Sequence, residues 1–222
     1  VDQDSGRQLG VRADMTSQAV RVDAHSVRSD NVQRYCYAGP VVFAKPQGNQ
    51  TSRVPLKAGA EMFGASGVTA DAEVIGLMLE GLKVANMHAP VLLLGHMGIY
   101  LGLVEQLLAE GRLDEARQGE LFGCVQRKGA SDIRNLLDDS PTSAMLIALP
   151  DLMGDSSVLA LAGKVLHRAS ESVRVALDEL KDLAAMIKTR YPQVDLRIDV
   201  SELSGYGYHN GPVFAVYHPQ HG

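Results

Sequence analysis

The sequence has few cysteines. Only Cys36 and Cys124 occur in 222 residues. Two thiols far apart build neither a disulfide framework nor a zinc-ligand pattern, so both are expected to be reduced thiols of a cytosolic core. No block of Lys and Arg stands out, and the formal net charge is -5 with 21% charged residues. Tight nucleic-acid binding needs a concentrated basic face, so no nucleic-acid partner is expected. Long apolar runs are missing as well. Segments such as Val91–Leu94 are far too short to span a bilayer, and the first residues show no basic stretch followed by an apolar one, so neither a membrane segment nor a signal peptide is expected. The expected location is the cytoplasm. The seven histidines are scattered. None has a metal-ligand spacing such as H-E-x-x-H, and no G-x-S-x-G or Walker-type motif is found. No metal or cofactor is expected.

What is present is 45% hydrophobic content, enough for one sizeable core or a core plus a small second domain. Gln8–Arg12 reads as a short strand. Thr16 is placed to cap a following helix with Val20, Ala24 and Val27 at helical spacing. Gln33–Lys45 reads as two strands or one kinked at Gly39-Pro40. The polar stretch Pro46–Arg53 reads as a loop, and Val54–Phe63 as a returning strand, together an antiparallel hairpin. Ala70–Ala85 predicts an amphipathic helix with Val74, Leu77, Met78, Gly81, Leu82 and Ala85 on one face. Pro90 ends any continuation, and Val91–Leu94 reads as a buried strand before a Gly95–Gly98 turn. From Tyr100 to about Arg190 strand signals vanish and Leu and Ala repeat at three and four. The last of these helices carries the stripe Val173, Leu177, Leu180, Leu183, Ala184 and Ile187. Asp195–Val200 and Val213–Tyr217 alternate as strands. The pattern is α+β, an antiparallel sheet core interrupted by helices.

Three polar clusters are candidate sites. Arg12, Asp14 and Thr16 lie at a strand-to-helix turn. Glu61 lies near the end of an apolar strand. Ser204–Gly211 is a Gly- and Tyr-rich loop before a strand. Each has a plain reading: Asp14 opening the turn ahead of Thr16, Glu61 as an exposed strand residue, the tyrosines packing on the sheet. The functional reading is a pocket for a small cationic or zwitterionic ligand. Carboxylates suit an ammonium or imidazolium, tyrosines offer flat walls with a polar tip, and glycines let a ligand approach the backbone. His96, on a loop after a buried strand, reads as structural.

Taken together, these segments resemble the catalytic core of histidyl-tRNA synthetase, a class II synthetase. Val11–Thr16 resembles the segment in which an acidic residue and a Thr bind the amino acid. Tyr35–Pro46 resembles the first strand of class II motif 2, Gly59–Gly64 its second strand, Asp71–Ile75 the following helix, and Ser204–Ala215 the histidine-specific loop. The resemblance implies a histidine-like pocket from Asp14, Thr16, Glu61, Tyr208 and His209. Val42 stands where the family has the Arg that grips ATP phosphate, and Ala44 replaces an acidic residue. Ser204 stands in place of an Arg and Gly207 in place of an Asp. Without a guanidinium clamp, bidentate contact to phosphate is lost, and adenylate formation needs that stabilisation. Lys57 stands where the family usually has Gln, and a cation there would repel a charged amino acid.

A synthetase-like core without its ATP clamp is similar to the regulatory subunits of ATP phosphoribosyltransferase. Arg12–Thr16 and Gly205–Gly211 carry that closer likeness. The resemblance implies a non-catalytic subunit that pairs with a short-form catalytic ATP phosphoribosyltransferase, self-associates, and helps transmit inhibition by histidine. The alternatives are a divergent histidyl-tRNA synthetase or related adenylate-forming ligase, and a scaffold that binds no ligand. The expected organisation is residues 1–100 as the first part of the core, 101–192 as a helical insertion and 193–222 as the return to the core, with the core cut short at both ends.

Overall fold

The computed structural model describes residues 2–27, 31–45, 52–203 and 209–218. The chain divides into two compact units, Val1–Ser66 and Gly67–Gly222.

In the first unit, helix α1 (Thr16–Val22) runs into a five-residue π turn (Asp23–Val27), followed by strands β1 (Gln33–Pro40) and β2 (Leu56–Phe63). The strands pair antiparallel from Gln33↔Phe63 to Pro40↔Leu56, as the alternation of apolar residues predicts. Pairing continues beyond β1, with Phe43 N–H donating to the Arg53 carbonyl at 2.8 Å and Val42 N–H to the Arg12 carbonyl at 2.9 Å. Residues 46–51 of the loop between the strands lie outside the described residues.

Two expectations are corrected here. Gln8–Arg12 is not a strand. Leu9 and Val11 are 68% and 77% exposed, so its apolar alternation meets no covering surface, and propensity without packing does not hold a strand. Helix α1 buries Ala19, next to its buried cap residue Met15, not a Val20–Ala24–Val27 stripe; Val20 and Val27 are exposed. The α-geometry lasts only seven residues before the π turn shifts the phase.

The second unit opens with helix α2 (Val68–Val84), then strand β3 (Val91–His96) and helix α3 (Met97–Ala109). Helices α4 (Gln118–Gln126), α5 (Ala130–Leu136), α6 (Pro141–Ala148), α7 (Val158–Val165) and α8 (Glu171–Arg190) follow, and a two-residue strand β4 (Met153–Gly154) interrupts them. Strands β5 (Asp195–Asp199) and β6 (Pro212–Tyr217) complete a four-stranded sheet of order β4-β5-β3-β6. Its pairs are antiparallel except for β3 and β5. A parallel pair needs a long crossover, and the helices from α3 to α8 supply it. They share one core with the sheet: Leu92, Leu94 and Ile198 of the strands pack with Ile99, Leu103 and Leu107 of α3 and Leu180, Leu183 and Ile187 of α8. The α8 stripe is buried as its spacing predicts, with Ala176 added.

The buried face of α2 is rotated from the predicted one. Ala72, Ile75, Gly76 and Leu79 are buried, while Leu77 is 56% exposed. The helix is apolar on more than one side, so spacing alone does not select a face. Packing selects it through Gly76, where a Cβ would stand 2.5 Å from Tyr191 Oη. Between β3 and α3 there is no free turn. His96 ends the strand and caps the helix, its Nδ1 accepting the Gly98 N–H at 3.0 Å, while Nε2 lies 3.0 Å from Glu179 Oε2. Because Nδ1 accepts, the ring proton sits on Nε2 and is donated to Glu179. His96 is therefore structural, as expected.

Candidate functional site

Side chains two apart on a strand share a face, and the β1–β2 register pairs Tyr35 with Glu61, Tyr37 with Gly59, and Gly39 with Lys57. One face of the hairpin therefore gathers Tyr35, Tyr37, Lys57 and Glu61 around two glycines. At both glycines a side chain would force a neighbouring side chain to move. A Cβ at Gly59 would lie 2.6 Å from Cε2, Cζ and Oη of Tyr37, and one at Gly39 would lie 2.6 Å from Arg12 Nη2. The tyrosine ring and the guanidinium thus lie against bare backbone.

The turn before α1 delivers the remaining groups. Asp14 Oδ1 accepts the Thr16 N–H at 2.7 Å, and the α1 cap residue, Met15, makes no side-chain cap bond. Asp14, not Thr16, therefore satisfies an early backbone donor of the helix, which corrects the expected capping role. The Thr16 hydroxyl is released for the site and donates to Glu61 Oε1 at 2.6 Å. Tyr37 Oη donates to the same oxygen at 3.0 Å and lies 3.4 Å from Thr16 Oγ1. Asp14 Oδ2 is ion-paired with Lys57 Nζ. Arg12 donates through Nε to the Pro40 carbonyl at 2.9 Å and through Nη1 to Gln18 Oε1 at 3.2 Å. Tyr35 Oη donates to Asp23 Oδ1 at 2.9 Å, tying the π turn to the same hairpin face.

The electrostatics follow from these contacts. The Lys57 ammonium holds the Asp14 carboxyl down at about 2. Burial and the Glu61 carboxylate push the Tyr37 phenol up, partly offset by Thr16. The tyrosine therefore stays a protonated donor at neutral pH.

The structure brings Asp14, Thr16 and Glu61 together. Tyr208 lies outside the described residues, as do Ser204 and Gly207. His209 is half-buried in the second unit, on the approach to β6. Arg12 belongs to the cluster with Asp14 and Thr16, as the sequence suggested, whereas Tyr37 is a part that sequence reasoning did not name. The usable signal for Tyr37 was the register: a glycine opposite it, Gly59, frees space for a large side chain. The arrangement offers carboxylate acceptors and hydroxyl donors, the chemistry of holding a ligand rather than attacking one. Val42, half-buried just beyond β1, and exposed Ala44 give this hairpin no charged group at those positions. Among the described residues no three His, Cys, Asp or Glu side chains cluster as metal ligands, and no helix is long and apolar enough to cross a membrane.

The family model for histidyl-tRNA synthetase matches residues 1–222. An ATP phosphoribosyltransferase regulatory subunit of Pseudomonas putida is 43% identical over all of this chain and 56% of its own length. The chain thus spans little more than half of the curated relatives it matches. Among solved structures, an ATP phosphoribosyltransferase regulatory subunit/histidyl-tRNA synthetase from Bacillus halodurans superposes with a TM-score of 0.81 at 24% identity, covering 95% of this chain and 55% of that one. The ATP phosphoribosyl transferase (HisG:HisZ) complex from Thermotoga maritima matches with a TM-score of 0.70 at 16% identity, covering 95% and 72%. At these identities the two structures establish the fold, a class II synthetase-like α+β architecture.

Proposed function

Because this chain belongs to the histidyl-tRNA synthetase family, and its curated relatives are regulatory subunits of ATP phosphoribosyltransferase, we propose that it acts as such a subunit and not as a synthetase. The observation that carries this reading is the 43% identity to a regulatory subunit along the whole chain. A second one supports it: the hairpin that would grip ATP in a synthetase carries Val42 and Ala44 at the matching positions. A guanidinium clamp on phosphate contributes charge-assisted, bidentate contacts that no aliphatic side chain replaces.

Under this reading the protein is non-catalytic. It partners a short-form catalytic ATP phosphoribosyltransferase in the cytoplasm, self-associates, and serves the first step of histidine biosynthesis. Residues 101–192 form a helical insertion in a core made of 1–100 and 193–222. Asp14, Thr16, Glu61, Tyr208 and His209 form a histidine-like pocket through which feedback inhibition by histidine is transmitted. Such transmission requires unequal histidine affinity in two assembled states. The test is reconstitution. The full-length protein is expected to copurify with a short-form phosphoribosyltransferase and raise its rate, and Glu61→Ala is expected to weaken inhibition by histidine. Inhibition unchanged by Glu61→Ala would move the sensor to the partner or the interface. Histidine-dependent ATP–pyrophosphate exchange would return the protein to the ligases.

A further inference from the structure

We infer that Asn210-Gly211, on the approach to β6, is a site of spontaneous backbone modification: the Gly211 nitrogen attacks the Asn210 side-chain amide, and the chain ages there to aspartate and isoaspartate. This site stands apart from the proposed regulatory role. Asn210-Gly211 is the sole Asn-Gly pair of the sequence. The reaction asks three things of a fold: an amide that water reaches, an unshielded nitrogen after it, and a peptide unit between them that can turn. Asn210 is exposed and lies outside any helix or strand. Gly211 has no side chain, and a Cβ built there would meet nothing within 4 Å. Among the described residues, neither the Asn210 carbonyl nor the Gly211 N–H makes a backbone hydrogen bond, and only the Gly211 carbonyl is engaged, accepting the Met97 N–H at 3.0 Å. The joining peptide unit is therefore free to turn, and glycine adds the widest backbone freedom. Two other exposed asparagines give the contrast. Asn86 stands at φ 61°, but the following Met87 N–H donates to the Leu82 carbonyl at 2.9 Å. Asn135 lies within helix α5, where the next nitrogen is directed at a carbonyl one turn back.

The chemistry closes with water alone. Hydroxide removes the Gly211 N–H proton. The nitrogen bonds to Asn210 Cγ, the Cγ–Nδ2 bond breaks, and the amide nitrogen takes up a proton and leaves as ammonia. A five-membered succinimide remains. Water then opens one of its two carbonyls. Cleavage at Cγ restores the ordinary backbone with an aspartate. Cleavage at the main-chain carbonyl leaves isoaspartate, with the chain running through Cγ. Either product replaces a neutral amide with a carboxylate that only accepts hydrogen bonds. Isoaspartate also lengthens the main chain by one carbon. The extra carbon falls just ahead of the Gly211–Met97 hydrogen bond and of the His96↔Pro212 pair that begins the β6 ladder. Pairing register depends on regular main-chain spacing, so isoaspartate loosens β6 where it meets β3 and the start of α3.

The experiment ages the full-length protein in warm, mildly alkaline buffer, with and without denaturing urea. Peptide mass spectrometry follows each asparagine, and isoaspartyl methyltransferase with labelled S-adenosylmethionine is the probe for isoaspartate. In the folded protein Asn210 is expected to convert within several-fold of its rate in urea, while Asn86 and Asn135 keep their amides. Gly211 has open space around it and no positive φ, so Gly211→Ala should keep the wild-type unfolding midpoint. Its methyl group beside the attacking nitrogen should slow conversion several-fold or more. Aged protein should unfold at lower urea than fresh protein. Fresh Asn210→Asp, which has the charge without the extra carbon, should unfold as wild type. Conversion of Asn210 in urea but not in the folded protein would overturn the inference, because the fold would then hold the amide away from the nitrogen. Undiminished conversion in Gly211→Ala would overturn the role of the Gly211 nitrogen. Identical unfolding of fresh and fully converted protein would overturn the effect on β6.

Discussion

The contact between Tyr37 and Gly59 is the most exacting packing feature of the site, and Gly59→Ala tests it. A methyl group there would stand 2.6 Å from Cε2, Cζ and Oη of the tyrosine, far inside van der Waals contact. These atoms are the far end of a side chain with two torsions, so the ring swings away rather than the strand breaking. That keeps the steric part near the low end of overpacking costs, about 1 kcal/mol. The swing also separates Tyr37 Oη from Glu61 Oε1, now 3.0 Å apart. A hydrogen bond to a charged acceptor contributes about 1.5 kcal/mol at its lower end, and partial exposure reduces it further. Set against the roughly 0.5–1 kcal/mol that alanine gains over glycine within a strand, Gly59→Ala should therefore cost about 1 kcal/mol in urea denaturation. In a Tyr37→Ala background both terms vanish. Alanine is favoured over glycine within a strand by about 0.5–1 kcal/mol, so the second substitution should there be neutral or mildly stabilising. This change of sign is the signature of direct coupling. An equal cost in both backgrounds would refute the contact and, with it, the geometry assigned to Glu61.

Other perturbations follow from the same contacts. Asp14 is held at about 2 by Lys57, so its contribution is full above the ordinary carboxyl range near 4 and is lost as pH falls toward 2; with the Lys57 side chain 39% exposed, solvent screening limits it to about 1 kcal/mol, and carboxyl NMR should place the Asp14 midpoint near 2, returning toward 4 in Lys57→Gln. Burial, outweighing the Glu179 contact, lowers the His96 pKa, so stability should be full above about pH 6.5 and decline below it as the unfolded chain takes up the proton first; a pH-independent unfolding midpoint between 7 and 5, once His96→Asn is used as the baseline, would contradict this. Lys128 Nζ donates to Asp199 Oδ2 at 2.5 Å and to Ser201 Oγ at 2.7 Å, and Asp199 is buried. Lys128→Met strands that carboxylate and should cost about 3 kcal/mol in thermal or urea unfolding, whereas a cost under about 1 kcal/mol would mean that the lysine is not its counter-ion.

Strong periodicity was legible, and ambiguous periodicity was not. The α8 stripe from Val173 to Ile187 repeats on one side only, and it is buried as read. Helix α2 is apolar on several sides, so its face was misassigned until Tyr191, more than a hundred residues away, packed on Gly76. Gln8–Arg12 alternates like a strand but has nothing to pack on. At the site, Asp14, Thr16 and Glu61 were legible because a carboxylate, a hydroxyl and a second carboxylate sit at positions resembling a known binding segment. The pairings of Thr16 with Glu61 and of Lys57 with Asp14 were not, because both are decided across the chain. Thr16 is drawn to Glu61 once Asp14 has taken the backbone donor, and Lys57 reaches Asp14 only because β1 and β2 pair in a register that leaves Gly39 opposite. Such contacts exist only after folding, and local propensity does not encode them.

The central proposal is that this is a subunit that activates another enzyme. The most direct measurement is the initial rate of a purified short-form ATP phosphoribosyltransferase, titrated with the full-length protein. A saturable rise in rate of several-fold or more, reaching its plateau at a fixed ratio of the two proteins, is the predicted result. A rate that stays flat across the titration, with both proteins folded, would contradict it.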